Sequence, residues 1–214
     1  MKGIIFDLDG VLVSTDEMHY QAWKRLAEEL GITGFTREDN RRQRGVSRMA
    51  SLEIVLEKSD KVYSEEEKME LADRKNNYYL ELLEHMDDSA VLEGVKGVLE
   101  ELKSRKLLLA VGSASKNAPA ILEKTGLMPY LDKISCGLDT TKSKPDPEVF
   151  LVAAKKLGLK PEECLVVEDS AAGIEAAKAG NMKSLGVGPF YDALGADYEA
   201  EALCRVTDWE TILG

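Results

Sequence analysis

The apolar positions of this chain fall into two kinds of run. Five are short and continuous: GIIF at 3–6, LLLAVG at 107–112, DKISC at 132–136, CLVVE at 164–168 and KSLGVG at 183–188. A strand with one wet face alternates apolar and polar side chains, whereas a continuous run suits a parallel sheet covered on both faces. The second kind repeats at helical spacing. NAPAILEKTGL, DPEVFLVAAKKLGL and AAGIEAAKAGN lie between the later strands, and their apolar stripes stop at Gly126, Gly158 and Gly180. Each of these glycines is expected to take the left-handed conformation that closes a helix. The alternation predicts an α/β fold built on a doubly wound, Rossmann-like parallel sheet.

The first strand breaks this rhythm, because residues 7–106 separate it from the second, far more than one crossover helix needs. The interval is itself helical in pattern. STDEMHYQAWKRLAEELGI opens with Ser14 and Glu17 at capping-box spacing, and SEEEKMELADRKNNYYLELLEHM opens with Ser64 and Glu67 at the same spacing. SRMASLEIVLEKS lies between them. The expected organisation is a core domain of residues 1–14 and 85–214 with an inserted helical cap of residues 15–84. Hinges are expected near Ser14–Thr15 and in the return segment 87–90. The chain shows no internal repeat and no low-complexity tract.

Composition narrows the function classes. Of 214 residues, 44% are apolar and 31% charged, an ordinary globular balance. The net charge of −11 argues against a nucleic-acid partner, which needs a basic face. The basic stretch RRQRG at 41–45 sits among acidic neighbours and reads as a solvated helix face or loop. No apolar run reaches the roughly 18–20 residues that span a bilayer, so no membrane association is expected. The first residues enter a strand directly, without the basic and apolar pattern of a secretory leader. Cys136, Cys164 and Cys204 are widely spaced and odd in number, which suggests neither a disulfide framework nor a thiolate metal site. A monomer in the reducing cytoplasm is the expectation.

The candidate chemistry sits at strand ends. Asp7 and Asp9 follow the first strand, and Glu168 and Asp169 end the fourth in LVVEDSAAG. Ligands of open parallel sheets bind beyond the carboxyl ends of strands where the strand order reverses. If the first and fourth strands are neighbours, four carboxylates converge, and such crowding requires a cation. Oxygen ligands without histidine or thiolate suit Mg²⁺. The D-x-D-G stretch alone also reads as a capped turn, and VLV after Gly10 excludes an EF-hand loop. Ser113 and Ser115 follow the second strand where a helix is expected to start, and so could cradle an anion or simply cap the helix. Lys144, before Pro145 in SKP, is either a fixed cation for a phosphoryl group or a surface lysine.

The set FDLDG, VGSAS, SKP and VVEDSAAGI resembles the haloacid dehalogenase-like phosphotransferases, and it covers the whole core. The resemblance implies that Asp7 attacks phosphorus and becomes an aspartyl phosphate, with Asp9 as general acid and base. It implies Mg²⁺ held by the Asp7 side chain, the Asp9 carbonyl, Glu168 and Asp169, and a phosphoryl group bound by Ser113 and Lys144. Within that family the helical stretch resembles the cap of the β-phosphoglucomutases: H-x₃-W at His19 and Trp23, G-V-S-R-x-x-S-L at 45–52, then R-K-N at 74–76. This likeness carries over His19 as a catalytic residue beside Asp9. It carries over Arg48, Ser51 and Lys75 as sugar-phosphate ligands, with Ser115, Lys116 and Asn117 completing a second phosphate pocket. The implied reaction interconverts β-glucose 1-phosphate and glucose 6-phosphate through glucose 1,6-bisphosphate, with the cap closing to exclude water. Read plainly, His19 and Trp23 share an apolar helix face, and Arg48 and Lys75 are solvated charges. Ser14, Met49 and Ala50 depart from the residues common in these relatives, which bears on the hinge and on the hexose. A sugar-phosphate phosphatase with the same nucleophile is the nearest rival. A non-catalytic phospho-aspartate receiver is a further one, against which the long insertion speaks.

Overall fold

The computed structural model describes residues 1–44 and 46–214. Gly45, which ends RRQRG and begins the G-V-S-R stretch, lies outside the described residues. In chain order the structure runs β1 (Gly3–Phe6), α1 (Asp16–Glu29), α2 (Arg37–Arg42), α3 (Arg48–Leu56), α4 (Glu65–Leu83) and α5 (Val95–Ser104). It continues with β2 (Leu108–Gly112), α6 (Ala118–Lys124), β3 (Lys133–Ser135), α7 (Glu148–Leu157) and β4 (Cys164–Glu168). The last elements are α8 (Ala171–Ala179), β5 (Lys183–Gly186), β6 (Tyr198–Glu199) and α9 (Trp209–Leu213). These elements divide into two compact units, Met1–Ser14 with Asp87–Gly214, and Thr15–Met86.

The larger unit is an α/β fold around one parallel sheet ordered β3-β2-β1-β4-β5-β6. The chain winds outward from β1 in both directions, so the order reverses between β1 and β4. Register sets Phe6 opposite Val111 on one side and Val167 on the other. Ile5, Ala110 and Val166 project into a buried cluster with Val149, Phe150, Ala153 and Ala154 of α7 and Ala176 and Ala177 of α8. Ile4, Phe6, Leu109, Val111, Leu165 and Val167 are equally inaccessible on the opposite face, which is why these strands read as unbroken apolar runs. The sheet has one strand more than the sequence pattern predicts, because β6 is only two residues long and half polar.

Two helix ends expected on glycine are built so, with Gly126 at φ 69° and Gly158 at φ 73°. The third is corrected: Gly180 keeps φ −82°, and Asn181 takes the left-handed turn at φ 58°. Asparagine tolerates that region better than other non-glycine residues, so the stop signal lies one position later than the glycine suggests.

Among the described residues the regular elements of the smaller unit are all helices. Trp23, Leu26 and Ala27 of α1 pack with Leu52 and Val55 of α3 and Leu71 and Ala72 of α4. The capping box predicted at Ser64 and Glu67 forms. The one predicted at Ser14 and Glu17 does not: Ser14 N–H donates to Ala90 C=O at 2.9 Å within the larger unit, and α1 starts only at Asp16. A third box, Thr36 with Asp39, starts α2, and Lys58 ties Asp39 to the carbonyl of Gly34. The strands of chain leading out of and back into the larger unit run side by side, with Val13 bridged to Val91 and Leu92 N–H donating to Leu12 C=O at 3.0 Å.

Candidate active site

The acidic candidate residues of the larger unit stand at the carboxyl ends of β1 and β4. Asp7 continues the β1 ladder, its N–H donating to Val167 C=O at 2.9 Å. Its carboxylate therefore emerges beside Glu168 at the strand-order reversal, the place where this sheet type leaves a crevice. Beyond it the chain turns sharply: Gly10 sits at φ 86°, its N–H donates to Val13 C=O, and Asp9 bridges Val13. A side chain at Gly10 would collide with the Asp169 carboxylate. Glycine at this position thus lets the β1 loop close onto Asp169.

Lys144 joins the two acidic strand ends. Its ammonium, fully buried, donates to Asp7 Oδ1 at 2.5 Å and to Glu168 Oε1 at 2.6 Å. The peptide bond to Pro145 is cis. Opposed influences act on Asp7: burial raises its proton affinity, Lys144 lowers it, and Glu168 and Asp9 raise it, leaving the pKa at about 7. The same pair of carboxylates lifts Lys144 above the ordinary lysine range, against the opposing influence of burial, so it stays a cation.

Glu168 is held by hydrogen bonds on both of its oxygens. Its Oε1 takes Lys144, and its Oε2 accepts Ser170 N–H at 2.7 Å and Ser170 O–H at 2.9 Å. The side chain is inaccessible, and any Cβ at Gly173 would overlap it. Glu168 thus fixes Lys144 and the start of α8, while each of its oxygens keeps a further lone pair. Among the described residues no three His, Cys, Asp or Glu side chains form a metal cage. Asp7, Glu168 and Asp169 stand together at this end, with the Asp9 carbonyl two residues beyond Asp7 in the chain. A small all-oxygen set of this kind fits Mg²⁺, which keeps several waters and takes phosphate oxygens to complete its shell.

Ser113 follows β2 and is buried, its N–H donating to Ser135 C=O at 3.0 Å. The helix expected to begin here begins instead at Ala118. In the intervening loop the Ser113 hydroxyl accepts Ser115 N–H, and the Ser115 hydroxyl accepts Asn117 N–H. The hydroxyls thus organise the loop's own backbone, and Lys116 stands exposed on it. Gly137 has no room for a Cβ against Ala114 C=O and Lys116, so a second loop braces the first.

In the helical unit, His19, Lys75, Trp23 and Tyr79 form one cluster. Lys75 is buried, with Nζ 2.8 Å from His19 Nδ1 and 4.6 and 4.8 Å from the ring centres of Trp23 and Tyr79. His19 stacks on Tyr79 at 4.1 Å. Burial, then Lys75 and Arg48, push the His19 pKa well below 6.5. An ammonium can only donate, so Nδ1 is the acceptor and the ring proton sits on Nε2. Arg48 donates to Asn76 Oδ1 at 2.8 Å and pairs with Asp73 at 3.5 Å, and Ser51 is buried on α3. The sequence reading missed Gln43, whose amide reaches the Ser51 carbonyl at 2.9 Å. No pattern marks it, since one glutamine at a helix end carries no spacing signal.

The haloacid dehalogenase-like hydrolase family model matches residues 1–181, and the chain belongs to that family. It is 40% identical to the β-phosphoglucomutase of Bacillus subtilis strain 168 over 199 residues, covering 92% of this chain and 88% of the relative. It is 32% identical to a phosphorylated carbohydrates phosphatase of Thermotoga maritima, covering 86% of this chain and 84% of the relative. The crystal structure of β-phosphoglucomutase from Clostridium difficile superposes with a TM-score of 0.91 at 37% identity, over 99% of this chain and 95% of that one. No helix among the described residues is long and apolar enough to cross a membrane.

Proposed function

We propose that this chain is a phosphoryl-transfer enzyme that interconverts β-glucose 1-phosphate and glucose 6-phosphate, using Asp7 as the nucleophile. The observation that carries the reading is the buried Lys144 bridging Asp7 to Glu168 at the β1–β4 reversal. A carboxylate oxygen of Asp7 attacks phosphorus as the sugar oxygen leaves. Lys144 neutralises charge on the transferring group, and Glu168 holds Lys144 in place. Asp9 gives the leaving oxygen its proton and, in the reverse sense, takes the proton of an entering hydroxyl. Asp7, Asp169 and the Asp9 carbonyl would hold Mg²⁺, which when bound offsets negative charge on the phosphoryl oxygens and the carboxylates.

The helical unit supports the sugar-phosphate half of the reading. Arg48 and Lys75 offer a fork and a point charge for a phosphate and a hydroxyl, and His19, protonated on Nε2, is a donor at neutral pH. Ser113 and Ser115 to Asn117 line the phosphate loop of the larger unit. In this scheme phosphorylated Asp7 gives its group to one hydroxyl, and the glucose 1,6-bisphosphate formed returns the other. Exclusion of water while Asp7 carries phosphate is what separates this outcome from hydrolysis.

The similarity to the Thermotoga maritima phosphatase favours a second reading, hydrolysis of the same aspartyl phosphate. A coupled assay distinguishes them. β-Glucose 1-phosphate, Mg²⁺ and trace glucose 1,6-bisphosphate are expected to yield glucose 6-phosphate without matching phosphate release. Phosphate appearing mole for mole would make the chain a phosphatase.

A further inference from the structure

Lys144 reaches its buried place from an exposed loop. Residues 136–147, between β3 and α7, form no strand or helix, and Thr141, Lys142 and Pro145 are exposed, yet the Lys144 side chain is inaccessible. An irregular segment with exposed flanks holds such a side chain in place only when its backbone is tied down elsewhere.

The tie is Glu148. Its Oε2 accepts Lys142 N–H at 2.7 Å and Thr141 N–H at 2.8 Å, and the Thr141 hydroxyl lies 3.3 Å from each carboxylate oxygen. The N–H groups of Lys142 and Thr141 hold this carboxyl below its ordinary range, so the bonds are of the strong, charge-assisted kind. Glu148 is itself firmly based. It opens α7, its N–H donates to Asp146 Oδ1 at 3.0 Å, and the next two residues, Val149 and Phe150, are buried against the sheet. The Phe150 ring centre lies 4.7 Å from the Lys144 ammonium. The carboxylate thus fastens the backbone two residues before Lys144 to the helix that packs beside the ammonium. A carboxylate in a first helical turn is favourable in its own right, but that does not account for the two loop N–H groups it takes.

We propose that Glu148 is a positioning residue: by clasping the backbone at 141–142 it holds Lys144 against Asp7 and Glu168 in the geometry that phosphoryl transfer needs. This rests on the function proposed above, in which Lys144 neutralises charge on the transferring group. A fixed cation is effective only where it is held, and a displacement of about 1 Å can cost two orders of magnitude in rate.

The test compares wild type with Glu148→Ala and Glu148→Gln, the second of which keeps an oxygen for the two N–H groups. Turnover of β-glucose 1-phosphate with Mg²⁺ and trace glucose 1,6-bisphosphate is read as loss of sugar phosphate, whichever product forms. Its kcat/KM is expected to fall about ten- to a hundredfold in Glu148→Ala and only about threefold in Glu148→Gln. Acetylation of the substrate-free enzyme with acetic anhydride, followed by peptide mass measurement, reads the ammonium itself. Lys75, buried to the same degree, is the internal reference. The ratio of Lys144 to Lys75 labelling is expected to rise about fivefold or more in Glu148→Ala and to stay near the wild-type value in Glu148→Gln. Amide hydrogen exchange across β4 reports general loosening of the larger unit and is expected to stay unchanged. An unchanged ratio, an unchanged kcat/KM, or a ratio that rises only in step with β4 exchange overturns the proposal. Phosphate released mole for mole by wild type refutes the mutase reading alone and leaves both measurements legible. Absence of turnover by wild type on every hexose phosphate sinks the function proposed above, and the labelling ratio then decides alone whether Glu148 holds Lys144. Should Glu148→Ala fail to fold, Glu148→Asp, which keeps the charge and withdraws it by one methylene, is judged by the same criteria.

Discussion

Each unit buries one lysine to the same degree, Lys144 in the larger and Lys75 in the helical one, and the two are compensated in unlike ways. Lys144 faces two carboxylates, and its charge is balanced by theirs. Lys75 faces an imidazole nitrogen and two aromatic faces, which solvate a cation without cancelling it. The neighbours respond accordingly. Beside Asp7, burial and the lysine act in opposite directions and leave a group poised at about pH 7. Beside His19, burial and the lysine act together and hold the ring neutral. One lysine balances the charge of the proposed nucleophile, and the other keeps the imidazole beside it in a single protonation state.

The largest expected effect tests the first half of that contrast. Asp7→Asn keeps the shape of the β1 end and removes the attacking oxygen, so turnover should fall by more than about a thousandfold. Incubation with a phosphoryl donor followed by intact mass measurement should show a covalent phosphate on wild type and none on the variant. A variant that still carries the phosphate would place the nucleophile elsewhere.

Removing the lysines comes next, and here the contrast is quantitative. Lys144→Ala leaves Glu168 a buried charge without its cation and drives Asp7 towards its protonated form, a loss of about 3–5 kcal/mol by the usual cost of breaking a buried pair. Added Mg²⁺ should recover part of that loss. Lys75→Met leaves a neutral imidazole and aromatic faces, none of them an unpaired charge, so about 1–2 kcal/mol is expected. Urea unfolding of both variants, with and without Mg²⁺, measures the difference. Equal losses would mean that the aromatic cluster compensates charge as strictly as the carboxylates do.

The same contrast explains what the sequence made legible. Asp7 and Asp169 could be placed from the pattern because unbroken apolar runs mark β1 and β4 and the acids stand at their ends. The β1–β4 pairing itself was a condition, which the register of Phe6 with Val167 satisfies. The engagement of Glu168 by Lys144 joins two segments 24 residues apart, which no local spacing encodes, although its bonds to Ser170 are local. Capping shows the same division. Ser64 and Glu67 close a box because their backbone is free to start a helix there, whereas Ser14 is held by Ala90 and its matching spacing is overridden. The His19–Lys75 contact spans 56 residues and joins two helices, so the pattern could place each on a helix without joining them.

The smallest expected effect separates the two environments by sign. Asp7 binds its proton more tightly folded than unfolded, with a pKa of about 7 against 3.8. Between those values the native state holds a proton that the unfolded chain lacks, so this group's contribution to stability falls as pH rises through that window. His19 is the reverse: its folded pKa lies below 6.5, so its contribution is full above pH 6.5 and is lost as the unfolded chain takes up a proton below it. The slope for one such group is at most about 1.4 kcal/mol per pH unit. Acidifying the Mg²⁺-free protein from about pH 7.5 to 5.5 should therefore firm the β1–β4 end and loosen α1 and α4. Amide hydrogen exchange, corrected for intrinsic rates, reads both regions in one experiment. Asp7→Asn should abolish the first change and His19→Asn the second. Parallel shifts in both regions, unmoved by either substitution, would show that the general charge of the chain governs its acid response and that these two sites do not.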